Sequence, residues 1–245
     1  MITGRLADAL DFAVRAHGDQ IRKGTTIPYV SHVLGVAALV FEGGGDEDLA
    51  IAGLLHDVLE DTSASAAQIA DAFGPRVAVI VRACSDTEER PKPPALERKR
   101  NYLKHLAEAD ADTLLVSLAD KLHNSRTILL DFRTDALGLL RRFNLSGNQT
   151  IWYYSSLADI YRRRRPGPLA DELSRVVADL RRELRNLTAC VADPEWVMRY
   201  GEEAWECARA LIGKPVDESG SPIDTNEPQQ QARSDENGIS TIVRS

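Results

Sequence analysis

Long apolar runs are missing from this sequence. No window approaches the roughly 18 consecutive apolar residues that a membrane span needs, so no membrane partner is expected. Cysteine is scarce: Cys84, Cys190 and Cys207 are scattered, odd in number and form no CxxC. This excludes a disulfide framework and reads as reduced, buried thiols in a cytoplasmic protein. A basic surplus is lacking too, since 30 Lys and Arg stand against 37 Asp and Glu, a formal charge of −7. Nucleic acid is therefore not an expected partner, because non-specific binders need a basic face to release counterions from phosphates. A small anionic substrate stays compatible, as a pocket can be locally basic inside an acidic protein. The start, MITGRLADALDFAVRAH, carries Asp8 and Asp11 and has neither the apolar core nor the cleavage site of a signal peptide. The sequons at Asn144, Asn148 and Asn186 are accordingly read as chance matches. Alternating strand patterns and internal repeats are absent as well.

What is present is helical periodicity. In LADALDFAVRAHGDQ, Leu6, Leu10, Ala13 and Val14 fall at i, i+4, i+7 and i+8. The loop RKGTTIPY follows, then a helix, VSHVLGVAALVFEGG, stopped at Gly43–Gly45. DEDLAIAGLLHDVLED reads as one helix with acids in its first turn, where the macrodipole favours them. Ser65 and Gln68 form a capping box for AAQIADAF, Gly74 closes that helix, and Pro75 suits the first turn of PRVAVIVRACSD. DTEERPKPPALERK, with three prolines in four positions, is a loop of a length that is often functional. Further helices are expected in ALERKRNYLKHLAEA, ADTLLVSLADKLHNSRTILLDF, ALGLLRRFN, NQTIWYYSSLADIYRRR and LADELSRVVADLRRELRNL. A last short helix near PEWVMRYGEEAWECARALI ends at Gly213. The expected class is all-α, in one domain over residues 1–213. From Lys214 the composition turns polar and rich in Pro, Gln, Asp and Glu, so 214–245 is expected to be a disordered tail.

One stretch does not fit an ordinary amphipathic helix. GLLHDVLEDT, residues 53–62, sets His56, Asp57, Glu60 and Asp61 directly after an apolar run. Desolvating unpaired charges is costly, so such groups need a metal, a partner or a chemical task. On a helix His56 and Glu60 share a face, as do Asp57 and Asp61, and the array would repel itself. A divalent cation is the simplest compensation, but one His–Asp pair supplies too few ligands. PYVSHVLGVAALV places His32 at the start of an otherwise apolar helix. LLVSLADKLHNSR places Asp120 inside another, after Leu114, Leu115, Val116 and Leu118. Two imidazoles and two carboxylates suit Mn²⁺, Fe²⁺ or Zn²⁺ better than Ca²⁺, which prefers all-oxygen cages.

The order H…HD…D is the pattern of the HD-domain metallophosphohydrolases. RKGTTIPYVSH, AGLLHDVLEDT and LADKLHNSR further resemble the hydrolase domain of the RelA/SpoT-type alarmone enzymes, above all their stand-alone small hydrolases. The resemblance covers about residues 5–160, leaving 161–213 as C-terminal helices. It implies a helical bundle with a metal site at its centre, holding Mn²⁺ through His32, His56, Asp57 and Asp120. It also implies Glu60 and Asp61 as the catalytic pair. The implied reaction removes the 3′-pyrophosphate of guanosine tetra- or pentaphosphate, or of the adenosine analogue, giving the nucleoside di- or triphosphate and pyrophosphate.

The remaining residues are assigned by their chemistry. Arg22 and Lys23, with Lys121 beside the expected ligand Asp120, are the local supply of cations for phosphates. Tyr29 is a candidate for stacking on a base, and Asn124, one turn after Asp120, for bonding a ribose or phosphate. His123 is read as a packing neighbour of the ligands, His17 as the close of the first helix, and His105 as exposed. RRRRP at 162–166 is read as a helix end, and WYYSSLADIY as core with one tyrosine at the pocket rim. The chain departs from the family pattern at Val33, where proline is common, and in an RKGTTIPY loop one residue longer than usual. Its length leaves no room for a synthetase domain, so hydrolysis without synthesis is expected. The rival readings are a phosphohydrolase of another nucleotide, such as a 5′-nucleotidase or an NADPH-type phosphatase, and a silent nucleotide sensor. An intact Glu60–Asp61 pair argues against the last.

Overall fold

The computed structural model describes residues 2–85, 87 and 91–223. The described residues form α-helices with no β-strand, apart from two isolated bridges, Ile21 with Pro28 and Val216 with Pro222. In order these are α1 (Gly4–His17), α2 (Val30–Glu42), α3 (Glu47–Leu55), α4 (Val58–Asp61), α5 (Ala66–Phe73) and α6 (Pro75–Cys84). They continue as α7 (Ala95–Leu106), α8 (Ala111–Arg142), α9 (Gly147–Arg164), α10 (Pro168–Ala192), α11 (Pro194–Tyr200) and α12 (Glu202–Ile212). None is long and apolar enough to cross a membrane.

Helices that are apolar all round belong in a core. Every residue of α3 from Leu49 to Leu55 is buried, as are Val33, Val36, Ala37, Leu39 and Val40 of α2. Both pack against each other and against α8, while α3 also meets α1 and α6, and α10 covers α8 and α9. Leu54, Leu55, Leu114, Leu115, Leu118 and Leu122 are at most 2% exposed. Burial of each contributes roughly 1.5–3 kcal/mol, and this layer also encloses His32, His56 and Asp120. The boundaries follow their local chemistry. Ser65 and Ser146 each complete a capping box, with Gln68 and Gln149, and Pro75 opens α6 after Gly74 at φ +96°.

Four expectations need correction. DEDLAIAGLLHDVLED is not one helix: α3 stops at Leu55, His56 and Asp57 form a turn, and α4 restarts at Val58. The His56 Nδ1–H donates to the Gly53 carbonyl at 2.8 Å, capping the end of α3. The last segment is two helices, broken at Gly201 with φ +85°. Conversely, the two helices expected around Asp131–Ala136 run on as α8 with a kink at Asp135, φ −152° and ψ 84°. Fourth, only Cys84 is buried; Cys190 is exposed and Cys207 half-buried, and all three are free.

The tail departs from expectation too. Residues 214–223 are placed, as a turn docked on α7 and α9. Arg100 donates to the Ser219 carbonyl at 2.7 Å, and the Trp152 indole N–H donates to the Glu218 carbonyl at 2.9 Å. The rest of the expected tail lies outside the described residues.

Candidate active site

Three core helices bring four side chains to one point. His32 comes from the first turn of α2, His56 and Asp57 from the turn after α3, and Asp120 from the middle of α8. His32 Nε2 lies 3.2 Å from His56 Nε2 and 3.6 Å from Asp57 Oδ2, and His56 Nε2 is 2.9 Å from Asp57 Oδ2. Asp120 Oδ1 is 3.3 Å from His32 Nε2 and 3.5 Å from His56 Nε2. Donors about 2.1 Å from one ion stand about 3.0 Å apart at right angles and about 3.4 Å apart in a tetrahedron. His32, His56 and Asp57 each present a ligand atom within 4.8 Å of the others, a group that could hold one cation, and Asp120 flanks both imidazoles.

The tautomers agree. His56 spends its Nδ1–H on Gly53, so its Nε2 carries a lone pair. His32 Nδ1 faces His123 Nδ1 at 2.9 Å. Burial, then the nearby His32 and Arg22, push the His123 pKa down to about 4, and between the two facing Nδ1 atoms one donates and the other accepts. With the proton on His32 Nδ1, the Nε2 lone pairs of His32 and His56 would face each other, an arrangement that a cation or a proton between them would stabilise. Gly35 makes room for the second imidazole, since a Cβ there would stand 2.3 Å from the His123 ring.

Without the ion, protons take its place. Burial opposes charge on His56, but Asp57 and Asp120 outweigh it and hold the imidazole well above its usual pKa. Burial likewise opposes ionisation of Asp57 and Asp120. His56, with the hydrogen bonds of both imidazoles, keeps Asp57 well below the carboxylate range, and Lys121 and then His56 do so for Asp120. Metal uptake would displace protons from this cluster. Lys121 Nζ binds Asp120 Oδ2 at 2.6 Å, and Asn124 Nδ2 donates to Asp120 Oδ1 at 2.5 Å. The Tyr29 hydroxyl donates to Asp57, and its ring packs 4.7 Å from His17 and 5.5 Å from His32. Tyr29 is thus committed to the cluster more than to stacking on a base.

The acid pair ends α4, one turn beyond. Lys92 Nζ lies 2.8 Å from Glu60 Oε1 and 3.4 Å from Asp61 Oδ1, and Arg98 approaches Glu60 Oε1 at 3.8 Å. Two adjoining cavities, of about 230 and 250 Å³, open beside the cluster and share Lys23, Asn124 and Tyr154 in their walls. Arg22 and Arg142 line the first, Arg98, Lys99 and Lys121 the second. The expected local basicity is there, inside an acidic chain. Arg22 donates to Asn124 Oδ1 at 3.1 Å and Arg142 Nη1 pairs with Asp131 at 3.2 Å, but Arg22 Nη1 and Arg142 Nε are buried with no hydrogen-bond partner among the described residues. Such donors are expensive to leave unmade.

Of the residues singled out in the sequence, Tyr29, Lys121 and Asn124 touch the His–Asp cluster, Arg22 reaches Asn124 and Lys23 lines both cavities, while Glu60 and Asp61 end α4 one turn beyond; His123 lies beside the cluster and His105 is exposed against the Ala83 carbonyl. Sequence reasoning missed Gln20, Lys92, Arg98, Lys99 and Arg142. Arg98 and Lys99 belong to a charged amphipathic helix that reads as solvated. Lys92 alone had a signal, as the cation of the proline-rich loop.

Residues 9–136 match the family model described as HD domain. The guanosine-3′,5′-bis(diphosphate) 3′-pyrophosphohydrolase MESH1 of Xenopus tropicalis is 39% identical over 126 residues, covering 50% of this chain and 69% of that protein. The GTP pyrophosphokinase rsh of Brucella ovis is 28% identical over 244 residues, 98% of this chain but 28% of its own length. The solved structure of a metazoan ortholog of SpoT that hydrolyzes ppGpp and plays a role in starvation responses aligns at TM-score 0.60 and 28% identity. It covers 73% of this chain and 96% of that one. With residues 9–136 of 245 inside the matched model, the chain belongs to the HD domain family.

Proposed function

We propose that this chain is a metal-dependent phosphohydrolase that removes the 3′-pyrophosphate of guanosine tetra- or pentaphosphate, with Mn²⁺ as the resident ion. The observation that carries a polyphosphate substrate is the pair of unsatisfied guanidinium donors, Arg22 Nη1 and Arg142 Nε, buried beside the His–Asp cluster. The relatives named for ppGpp hydrolysis support the guanosine 3′-pyrophosphate. The mixed nitrogen and oxygen donor set of His32, His56, Asp57 and Asp120 supports a transition metal over Ca²⁺.

Those four residues would hold a divalent ion, which would supply Lewis acidity and make a nearby water more acidic, towards neutral pH. Glu60 and Asp61 orient the attacking water and take its proton. Arg22, Lys23 and Arg142, with Arg98, Lys99 and Lys121 on the other wall, bind the phosphate oxygens and hold the leaving pyrophosphate. Asn124, engaged by Asp120 and Arg22, would offer its remaining amide proton to a ribose or phosphate oxygen. Water adds across the bond between the ribose 3′-oxygen and phosphorus: one proton returns to the 3′-oxygen, and GDP or GTP leaves with pyrophosphate. Lys121, locked on Asp120, also fixes that ligand's second oxygen.

The test incubates metal-free protein, with and without Mn²⁺, with ppGpp, ppApp, GTP, NADPH and nucleoside monophosphates, resolving products by ion-exchange chromatography. Mn²⁺-dependent release of GDP and pyrophosphate from ppGpp is expected. Survival of ppGpp while another nucleotide is cleaved would refute the proposal.

A further inference from the structure

His17 and Gln20 lie outside the ligand set, the acid pair and both cavities, yet they form a chain that ends on Asp61. His17 Nδ1 lies 2.8 Å from Gln20 Oε1, and Gln20 Nε2 donates to Asp61 Oδ2 at 3.2 Å. Asp61 Oδ2 is the oxygen turned away from Lys92, which approaches Oδ1. The carboxylate is therefore held from two sides, by a cation on one oxygen and a neutral amide on the other.

The direction of each bond follows from charge. An ionised carboxylate only accepts, so the Gln20 amide must turn its NH₂ towards Asp61 and its oxygen towards His17. That oxygen in turn requires the proton on His17 Nδ1. The other ring nitrogen, His17 Nε2, is then a bare acceptor, and it is buried without a partner. At 7% exposure, with its ring packed at a tilt against Tyr29, this position would take a phenyl ring at lower desolvation cost. The imidazole is explained by its one useful proton. Gln20 is fixed as firmly by its backbone: its N–H donates to the His17 carbonyl at 2.9 Å, and its own carbonyl accepts from the Tyr29 N–H at 2.8 Å.

We infer that Gln20 is a positioning residue for Asp61, and that His17 sets the orientation of the Gln20 amide. The need is evident from α4, a helix of four residues with Asp61 at its very end. Lys92 holds Oδ1 of that carboxylate and the Gln20 amide holds Oδ2, from the loop that also carries Arg22, Lys23 and Tyr29. The inference rests on the reading of Asp61 as part of the catalytic pair.

The experiment compares Mn²⁺-loaded full chains carrying Gln20→Leu, Gln20→Glu, His17→Phe and the His17→Phe/Gln20→Leu pair, with Asp61→Asn as the reference. Steady-state kinetics with ppGpp are read beside bound metal and melting temperature. Loss of positioning should lower kcat roughly 10-fold, with KM within about twofold and bound metal unchanged. Gln20→Glu keeps the acceptor for His17 but cannot donate to Asp61 when ionised, so its kcat falls at least as far. It also serves if the leucine variant fails to fold. The double variant should be no slower than Gln20→Leu alone, because both act through one bond. A Gln20→Leu kcat near that of the unsubstituted chain, a loss of metal, or additive effects of the two substitutions would overturn the inference. If Asp61→Asn itself keeps full kcat, the reading of the catalytic pair fails instead. If Asp61→Asn is inactive and both Gln20 variants are not, the positioning inference alone fails.

Discussion

The His32, His56 and Asp120 side chains are 1–6% exposed, whereas those of Asp57, Glu60 and Asp61, on the turn and short helix that follow α3, keep 20%, 19% and 27%. The first group is tied to the core through α2, α3 and α8, with its tautomers set by Gly53 and His123. Glu60 and Asp61 hang from the four-residue α4 and are held by Lys92 and Gln20. Exposed ion pairs of that kind contribute about 0–1 kcal/mol, while removing one partner of a buried pair costs roughly 3–5 kcal/mol. On the proposed function, most of the ligand set is built into the core, and the pair that would pick up and release a proton stands at its edge, where its partners could be exchanged for substrate.

Substitutions should separate the two regions. The largest effect is expected from Asp57→Ala, which removes a ligand and strands His56 in the core. Metal content by mass spectrometry should vanish and kcat fall at least about 10³-fold, in keeping with the loss of metal-assisted water activation. Retained metal would show that Asp57 is not a ligand. Next, Glu60→Gln should cost roughly 10²–10⁴-fold in kcat with metal content unchanged, which is the sharpest contrast with Asp57→Ala. Gly35→Ala then probes the support of the cluster, because its Cβ must displace the His123 ring. Metal affinity should drop by about 10–100-fold, measured by competition with a chelating dye, while phosphate-binding residues are untouched. The smallest change is expected for Lys23→Met on the cavity wall: KM for ppGpp rises by roughly 10-fold, with kcat and metal little altered, as for a residue that binds ground and transition state alike.

The same contrast explains what the sequence could reveal. His32 and Asp120 were legible because one ionisable group on an apolar helix is conspicuous wherever the helix packs. The turn at His56–Asp57 was not, because apolar periodicity runs on through Val58 and Leu59 and hides the break that His56 itself caps. Lys92, Arg98 and Gln20 acquire their roles only when segments 30 to 40 residues apart meet Glu60 and Asp61. No local pattern encodes such a meeting. Residues 214–223 read as disordered by composition, yet their order comes largely from backbone carbonyls accepting from Arg100 and Trp152, bonds that composition does not register.

The central claim is that His32, His56, Asp57 and Asp120 converge on one divalent ion. Crystals of the Mn²⁺-loaded chain, with anomalous diffraction recorded at the manganese edge, test it most directly. One peak about 2.0–2.3 Å from His32 Nε2, His56 Nε2, Asp57 and Asp120 is the expected result. A peak on Glu60 and Asp61 instead, or none in the His–Asp cluster, would contradict it.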